Sequence, residues 1–143
     1  MKKLLKIIFP MLLIVILVSC GSNSTDTFIK DDPGNNSEIT LTHKKDEIVS
    51  VKVKTTLSYI TINAKDRNEA ESKLKEYLSE MNMDDSDTEI IYKDKEVEII
   101  STGDVKGEDL KLGNLYNLDT EKDYYSYDEV SKILLASGYE KNK

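Results

Sequence analysis

Between Glu47 and Ile62 the chain alternates. Val49, Val51, Val53, Leu57 and Tyr59 occupy odd positions, and Ser50, Lys52, Lys54, Thr56 and Ser58 lie between them. A strand with this period of two buries one face and wets the other. Sheets built from such strands are antiparallel and covered on one side, so an all-helical fold and a sheet buried on both faces are excluded. The apolar set moves to even positions at Ile60 and Ile62, which predicts a bulge or bend near Tyr59. Just upstream, Ile39 and Leu41 alternate with Thr40 and Thr42, and Lys44-Lys45-Asp46 suits a tight turn. The first hairpin is therefore expected to start near Glu38.

The period then changes. Asp66-Arg67-Asn68-Glu69 has the spacing of a capping box, an N-cap acid followed three residues later by Glu. Ala70, Leu74, Tyr77, Leu78 and Met81 follow in one apolar stripe, which predicts a helix to about Asn82. Asp84-Asp85-Ser86-Asp87 breaks it. Thr88–Lys93 and Glu96–Thr102, joined at Asp94-Lys95, read as a second hairpin. Gly103 to Gly113 is polar and punctuated by glycine, with a turn of helix around Glu108 to Lys111. Ser126-Tyr127-Asp128-Glu129 is a second capping box, followed by Val130, Ile133, Leu134 and Ala136, with Gly138 placed as the helix C′ residue. The expected fold is α+β: an antiparallel sheet of about four strands, in two hairpins, with helices packed on one face in the order ββαββα.

What precedes residue 38 is of another kind. Lys2, Lys3 and Lys6 are followed by twelve uncharged residues, Ile7 to Val18. As a helix these would span about 18 Å, short of the ~30 Å hydrocarbon core of a bilayer. A cationic start, an apolar run and a small residue before the cut describe an export signal. Leu17-Val18-Ser19-Cys20 is similar to the bacterial lipobox, and Cys20 is the chain's only cysteine. The expectation is a signal peptide over residues 1–19, cleavage before Cys20 and a lipid on its thiol. Two long acyl chains hold a protein on a membrane stably. Residues 20–37, rich in Ser, Asn, Asp, Pro and Gly with only Phe28 and Ile29 apolar, are expected to be the lipidated terminus and a flexible tether. Residues 38–143 would then be the folded domain. Loss of the three signal lysines takes the formal charge from −7 to −10, a surface repelled by nucleic acid and by anionic headgroups.

Four segments carry a family resemblance: Thr42-His43-Lys44-Lys45-Asp46-Glu47-Ile48, Asn68-Glu69-Ala70-Glu71-Ser72-Lys73-Leu74, Ile91-Tyr92-Lys93-Asp94 and Ser131-Lys132-Ile133-Leu134-Leu135-Ala136-Ser137-Gly138-Tyr139. In this order, and with the lipobox, the chain resembles the YehR-like bacterial lipoproteins over roughly residues 38–141. The resemblance implies a small α+β lipoprotein with no defined activity, so no catalytic residue is carried over. Two positions depart from the family pattern: Lys45-Asp46 stands where a Gly-Asp turn is common, and Asn82-Met83 where Gly-Val often follows the first helix.

Chemical signals are sparse. Asp85, Asp87, Glu89 and Glu96 match positions 1, 3, 5 and 12 of an EF-hand-like count, but Ile90 stands where the loop needs glycine. A solvated acidic turn is the alternative, and no metal site is assigned. His43, the only histidine, is expected at the rim of the first hairpin rather than in a catalytic role. There is no Gly-x-Ser-x-Gly elbow, and Gly103, Gly107 and Gly113 are too widely spaced for a phosphate loop. Tyr116, Tyr124, Tyr125 and Tyr127 gather four of eight tyrosines into twelve residues. Tyrosine joins a large apolar ring to a polar tip, which suits a partner surface; sealing the last helix onto the sheet is the other use.

These features point to a lipoprotein of the cell membrane, anchored on its extracytoplasmic side through Cys20, acting as a binding or structural module. The expected partners are the membrane and an envelope protein or wall ligand, with no nucleic acid, no cofactor and no enzymatic activity. The competing readings are a small envelope hydrolase using carboxylates and a weak cation-binding lipoprotein.

Overall fold

A computed structural model of the chain describes residues 22–80, 88–104 and 124–142. Among them are six strands and two helices: β1 (Ser24–Asp32), β2 (Asn35–Lys44), β3 (Glu47–Ser58), α1 (Arg67–Glu80), β4 (Thr88–Tyr92), β5 (Glu96–Asp104), α2 (Tyr127–Ala136) and β6 (Glu140–Lys141). The strands form one sheet, ordered β4-β5-β3-β2-β1-β6, in which every neighbouring pair is antiparallel. The α+β class holds. The four-strand count and the ββαββα order do not, because a strand stands at each end of the predicted set.

The first addition is β1. Residues 20–37 were expected to be tether, yet Ser24–Asp32 pairs with β2 over nine residues, from Ser24 opposite His43 to Asp32 opposite Asn35. Its hold on the core is one side chain: Phe28 is fully buried opposite Ile39. Pro33-Gly34, which composition assigns to a linker, is the tight turn of the β1–β2 hairpin, and Gly34 supplies a φ of 77° there. Turns and spacers use the same residues, which is why the two are confused in a polar stretch. The second addition, β6, is two residues pairing with Phe28 and Ile29 of β1. Two residues are too few to show a period.

The register places the buried apolar side chains of the sheet on one face. Phe28, Ile39 and Val53 lie in one row, Leu41 and Val51 in the next, and Leu57 with Val97 further along. Over this face α2 packs Val130 and Leu134 against Phe28, Ile39, Leu41, Ile48 and Val51. Towards the other end, α1 sets Ala70 and Leu74 against Tyr59, Ala64 and Val97. Burying each large side chain contributes about 1.5–3 kcal/mol, and the two helices divide that gain between two adjoining clusters.

The change of parity in β3 falls elsewhere than expected. A register shift at Thr42/His43 pairs His43 with Ile48, and this brings Ile48 rather than Val49 into the core. At the other end β3 simply stops at Ser58, without a bulge. Tyr59 is buried, and its hydroxyl donates to the Lys93 carbonyl at 2.6 Å. Turns at Ser58–Thr61 and Ile60–Asn63 then lead to α1 and leave Ile60 85% exposed.

The N-cap side chain of each predicted capping box accepts from the N3 backbone N–H. In α1 the Glu69 N–H donates to Asp66 Oδ1 at 3.0 Å, and Glu69 Oε2 accepts from the Lys65 N–H at 2.9 Å. The predicted continuation to Asn82 lies outside the described residues. In α2 the Glu129 N–H donates to the Ser126 hydroxyl at 3.3 Å. The helix closes in a Schellman motif, with Tyr139 N–H to Leu134 O at 3.0 Å and Gly138 N–H to Leu135 O at 3.1 Å, around Gly138 at φ 88°. The predicted turn of helix at Glu108–Lys111 lies outside the described residues.

Candidate functional site

The first of the predicted site residues to place are the tyrosines. Tyr125 and Tyr127 pack against the core cluster beneath α2, so sealing the helix onto the sheet is what both do. Tyr124 is 40% exposed beside them. Tyr116 and Cys20, the expected lipidation residue, lie outside the described residues.

Around Tyr127 the fold assembles the densest polar cluster among the described residues. Asp26 of β1 faces the same side of the sheet as Phe28, because the two are separated by one residue. His43 reaches it from the end of β2, Tyr127 from the first turn of α2 and Lys141 from β6. The Tyr127 hydroxyl donates to Asp26 Oδ2 at 2.6 Å, and Lys141 Nζ lies 2.9 Å from Asp26 Oδ1. His43 Nε2 lies 3.3 Å from Asp26 Oδ2, and the imidazole stacks on the Tyr127 ring at 3.8 Å between centroids and 15° between planes. Lys141 Nζ also donates to the Tyr127 oxygen at 3.2 Å. Four elements distant in sequence are thus tied together at one carboxylate.

A second carboxylate does the same for the start of α2. Asp46, in the β2–β3 turn, accepts from the buried Ser126 hydroxyl at 2.8 Å and from the Asp128 N–H at 2.9 Å. Its own carbonyl accepts from the Tyr127 N–H at 2.7 Å, and the Ile48 N–H donates to the Tyr125 carbonyl at 3.0 Å. A carboxylate at a helix N-terminus satisfies orphan N–H groups and complements the helix dipole. Lys45, at φ 54°, makes the turn that presents Asp46.

The electrostatics follow from these contacts. The Tyr127 hydroxyl, then Lys141 and His43, hold the Asp26 carboxyl below its ordinary range against the opposing effect of burial. Burial, and then the hydrogen bond to Asp26, push the Tyr127 hydroxyl up. The Asp26 carboxylate and then the Tyr127 hydroxyl raise Lys141.

The geometry also limits the chemistry. A catalytic histidine is oriented through one ring nitrogen and acts through the other. Here Nδ1 lies 2.7 Å from the Lys45 carbonyl, and Nε2 lies 3.3 Å from Asp26 Oδ2. Both nitrogens are engaged within the protein. The cluster fastens β1, β2, α2 and β6 to one another.

Of the EF-hand-like set, Asp85 and Asp87 lie outside the described residues. Glu89 is exposed on β4, and Glu96 on β5 pairs with Lys93 at 3.2 Å. Among the described residues no three of His, Cys, Asp and Glu converge as a metal would require. Sequence reasoning placed His43 at the rim but missed its partners: Asp26 stood in the supposed tether and Lys141 in a tail too short to have a period. The one signal available was the charge-bearing Asp26 two residues from Phe28.

Comparison with known proteins follows this geometry. The model of a family described as "Protein of unknown function (DUF1307)" matches residues 24–140, from the first residue of β1 to the first of β6. The uncharacterized lipoprotein Lmo0207 of Listeria monocytogenes is 31% identical over 146 residues, covering 97% of this chain and 95% of that protein. The uncharacterized lipoprotein Lin0239 of Listeria innocua is 30% identical over 145 residues, with the same coverage. The NMR structure of the YehR protein of Escherichia coli superimposes with a TM-score of 0.70 at 19% identity, over 86% of this chain and 93% of that one. It shares the fold.

Proposed function

The chain belongs to the DUF1307 family of proteins of unknown function, and from that premise we propose a lipid-anchored envelope protein, held on the extracytoplasmic face of the cell membrane and acting as a binding or structural module without catalysis. The observation that carries this reading is Leu17-Val18-Ser19-Cys20 behind a cationic, apolar leader, with no other cysteine in the chain. The two Listeria relatives named as lipoproteins align over 97% of the chain, a span that leaves out too few residues to omit this leader. The engagement of both His43 nitrogens supports the non-catalytic part.

The test is mass spectrometry of the protein recovered from its native membrane. A chain starting at Cys20, heavier by a diacylglyceryl group, is expected, and Cys20→Ala should leave residues 1–19 attached. An unmodified thiol with the leader still in place would overturn the proposal.

A further inference from the structure

With β1 starting at Ser24, only Gly21, Ser22 and Asn23 separate the ordered sheet from Cys20. Four Cα steps reach at most about 14 Å. The domain therefore cannot stand off from the bilayer on an eighteen-residue spacer; one end of its sheet is held close to the lipid headgroups. That end is defined by the register: Ser24 is opposite His43, which leads into the exposed Lys44 and Lys45 of the β2–β3 turn, and Glu47 bridges to Ser126 beside Tyr124.

We propose that this tip is a membrane-docking surface, with Lys44 and Lys45 against anionic phospholipid headgroups and Tyr124 at the interfacial layer. It rests on the anchoring proposed above. The charge distribution favours this orientation. Among the described residues neither Lys44 nor Lys45 makes an ion pair, whereas Asp46 beside them is turned into Ser126 and the start of α2, and Asp128 is paired with Lys132. Glu47 and Asp128 are exposed acids among the described residues of the tip. The mature chain as a whole carries −10 once Lys2, Lys3 and Lys6 are removed from −7. An anionic surface thus repels the rest of the domain more than its tethered end, where Lys44 and Lys45 offset Asp46 and Glu47. Tyrosine is enriched at membrane interfaces because its ring is apolar and its tip wet, and Tyr124 is 40% exposed there. The far end is out of reach in this pose: β3 runs about 36 Å from Glu47 to Ser58, and Ile60 lies beyond it.

The chain has no tryptophan, so one introduced residue is a unique reporter. The full-length, lipid-modified protein is reconstituted into phosphatidylglycerol–phosphatidylcholine vesicles containing bromine-labelled lipid, carrying either Tyr124→Trp or Ile60→Trp. Tyr124→Trp is expected to be quenched several-fold more than Ile60→Trp, and Lys44→Glu with Lys45→Glu should remove most of that difference. Equal quenching at the two positions in protein that floats with the vesicles would overturn the docking while leaving the anchor intact. Unchanged quenching in the charge-reversed protein would overturn the contact with anionic headgroups. Native protein that fails to float with vesicles would overturn the anchor and the docking together.

Discussion

Phe28→Ala tests whether the opening stretch is part of the folded body. Phe28 is fully buried, sits opposite Ile39 and belongs to the cluster that includes Leu41, Val130 and Leu134. Truncating a buried phenylalanine costs about 3–5 kcal/mol, the transfer term plus the cavity it leaves. Against a total stability of roughly 5–15 kcal/mol for a domain, that is a large share. With a urea m-value of about 2 kcal/mol/M, a loss of about 4 kcal/mol lowers the unfolding midpoint by about 2 M. The neighbour Ile29 supplies the control, because it points to the other side of the sheet and is only partly buried. Ile29→Ala should cost about 1 kcal/mol. The assay is urea unfolding of the domain without its leader, followed by far-ultraviolet circular dichroism. Midpoints that move equally for the two variants, or for neither, would refute the assignment of β1 and its register.

Tyr127→Phe removes a hydrogen bond to a charged group, and the partly exposed position of Asp26 puts the cost near the lower end, about 1.5 kcal/mol. Combined with Asp26→Asn in a double-mutant cycle, the two should couple by more than about 0.5 kcal/mol; additivity would mean that the contact contributes nothing. Because Asp26 is held below its ordinary range, the unfolded chain takes up this proton first as pH falls. Stability from Asp26 is therefore fully present above about pH 4 and is lost as pH falls through the lower folded value. Acid titration of the unfolding midpoint should show a shallower acid limb in Asp26→Asn, and identical limbs would discount the cluster. Gly34→Ala forces a side chain into φ 77° and against the Thr61 side chain. A loss of about 1–2 kcal/mol is expected by thermal denaturation, and an unchanged melting temperature would mean that the turn is built otherwise.

The elements legible in the sequence were those with a period and a cap. Val51, Val53 and Leu57 announced the central strand, Ala70, Leu74 and Leu78 announced α1, and Ser126 with Gly138 bracketed α2. Strand β1 was hidden because it offers one buried side chain, Phe28, amid polar residues, and because its turn has the chemistry of a linker. The polar cluster was hidden for a deeper reason. Asp26, His43, Tyr127 and Lys141 are brought together only by the sheet order and by α2 crossing it, and no local pattern records a meeting across 101 residues between Asp26 and Tyr127. Tyrosine spacing does not tell which rings face inwards; packing places Tyr125 and Tyr127 against the core.

The pairing of β6 with β1 has a consequence for how the protein comes into being. The outer edge of β1 is closed by Glu140 and Lys141, and the Asn142 N–H donates to the Thr27 carbonyl at 2.8 Å. A polypeptide made start-first therefore carries β1 with one side unpaired until Glu140 and Lys141 follow. An open strand edge invites pairing with other chains, so Glu140 and Lys141 act as a finishing clasp, and a chain that lacks this pairing should aggregate more readily.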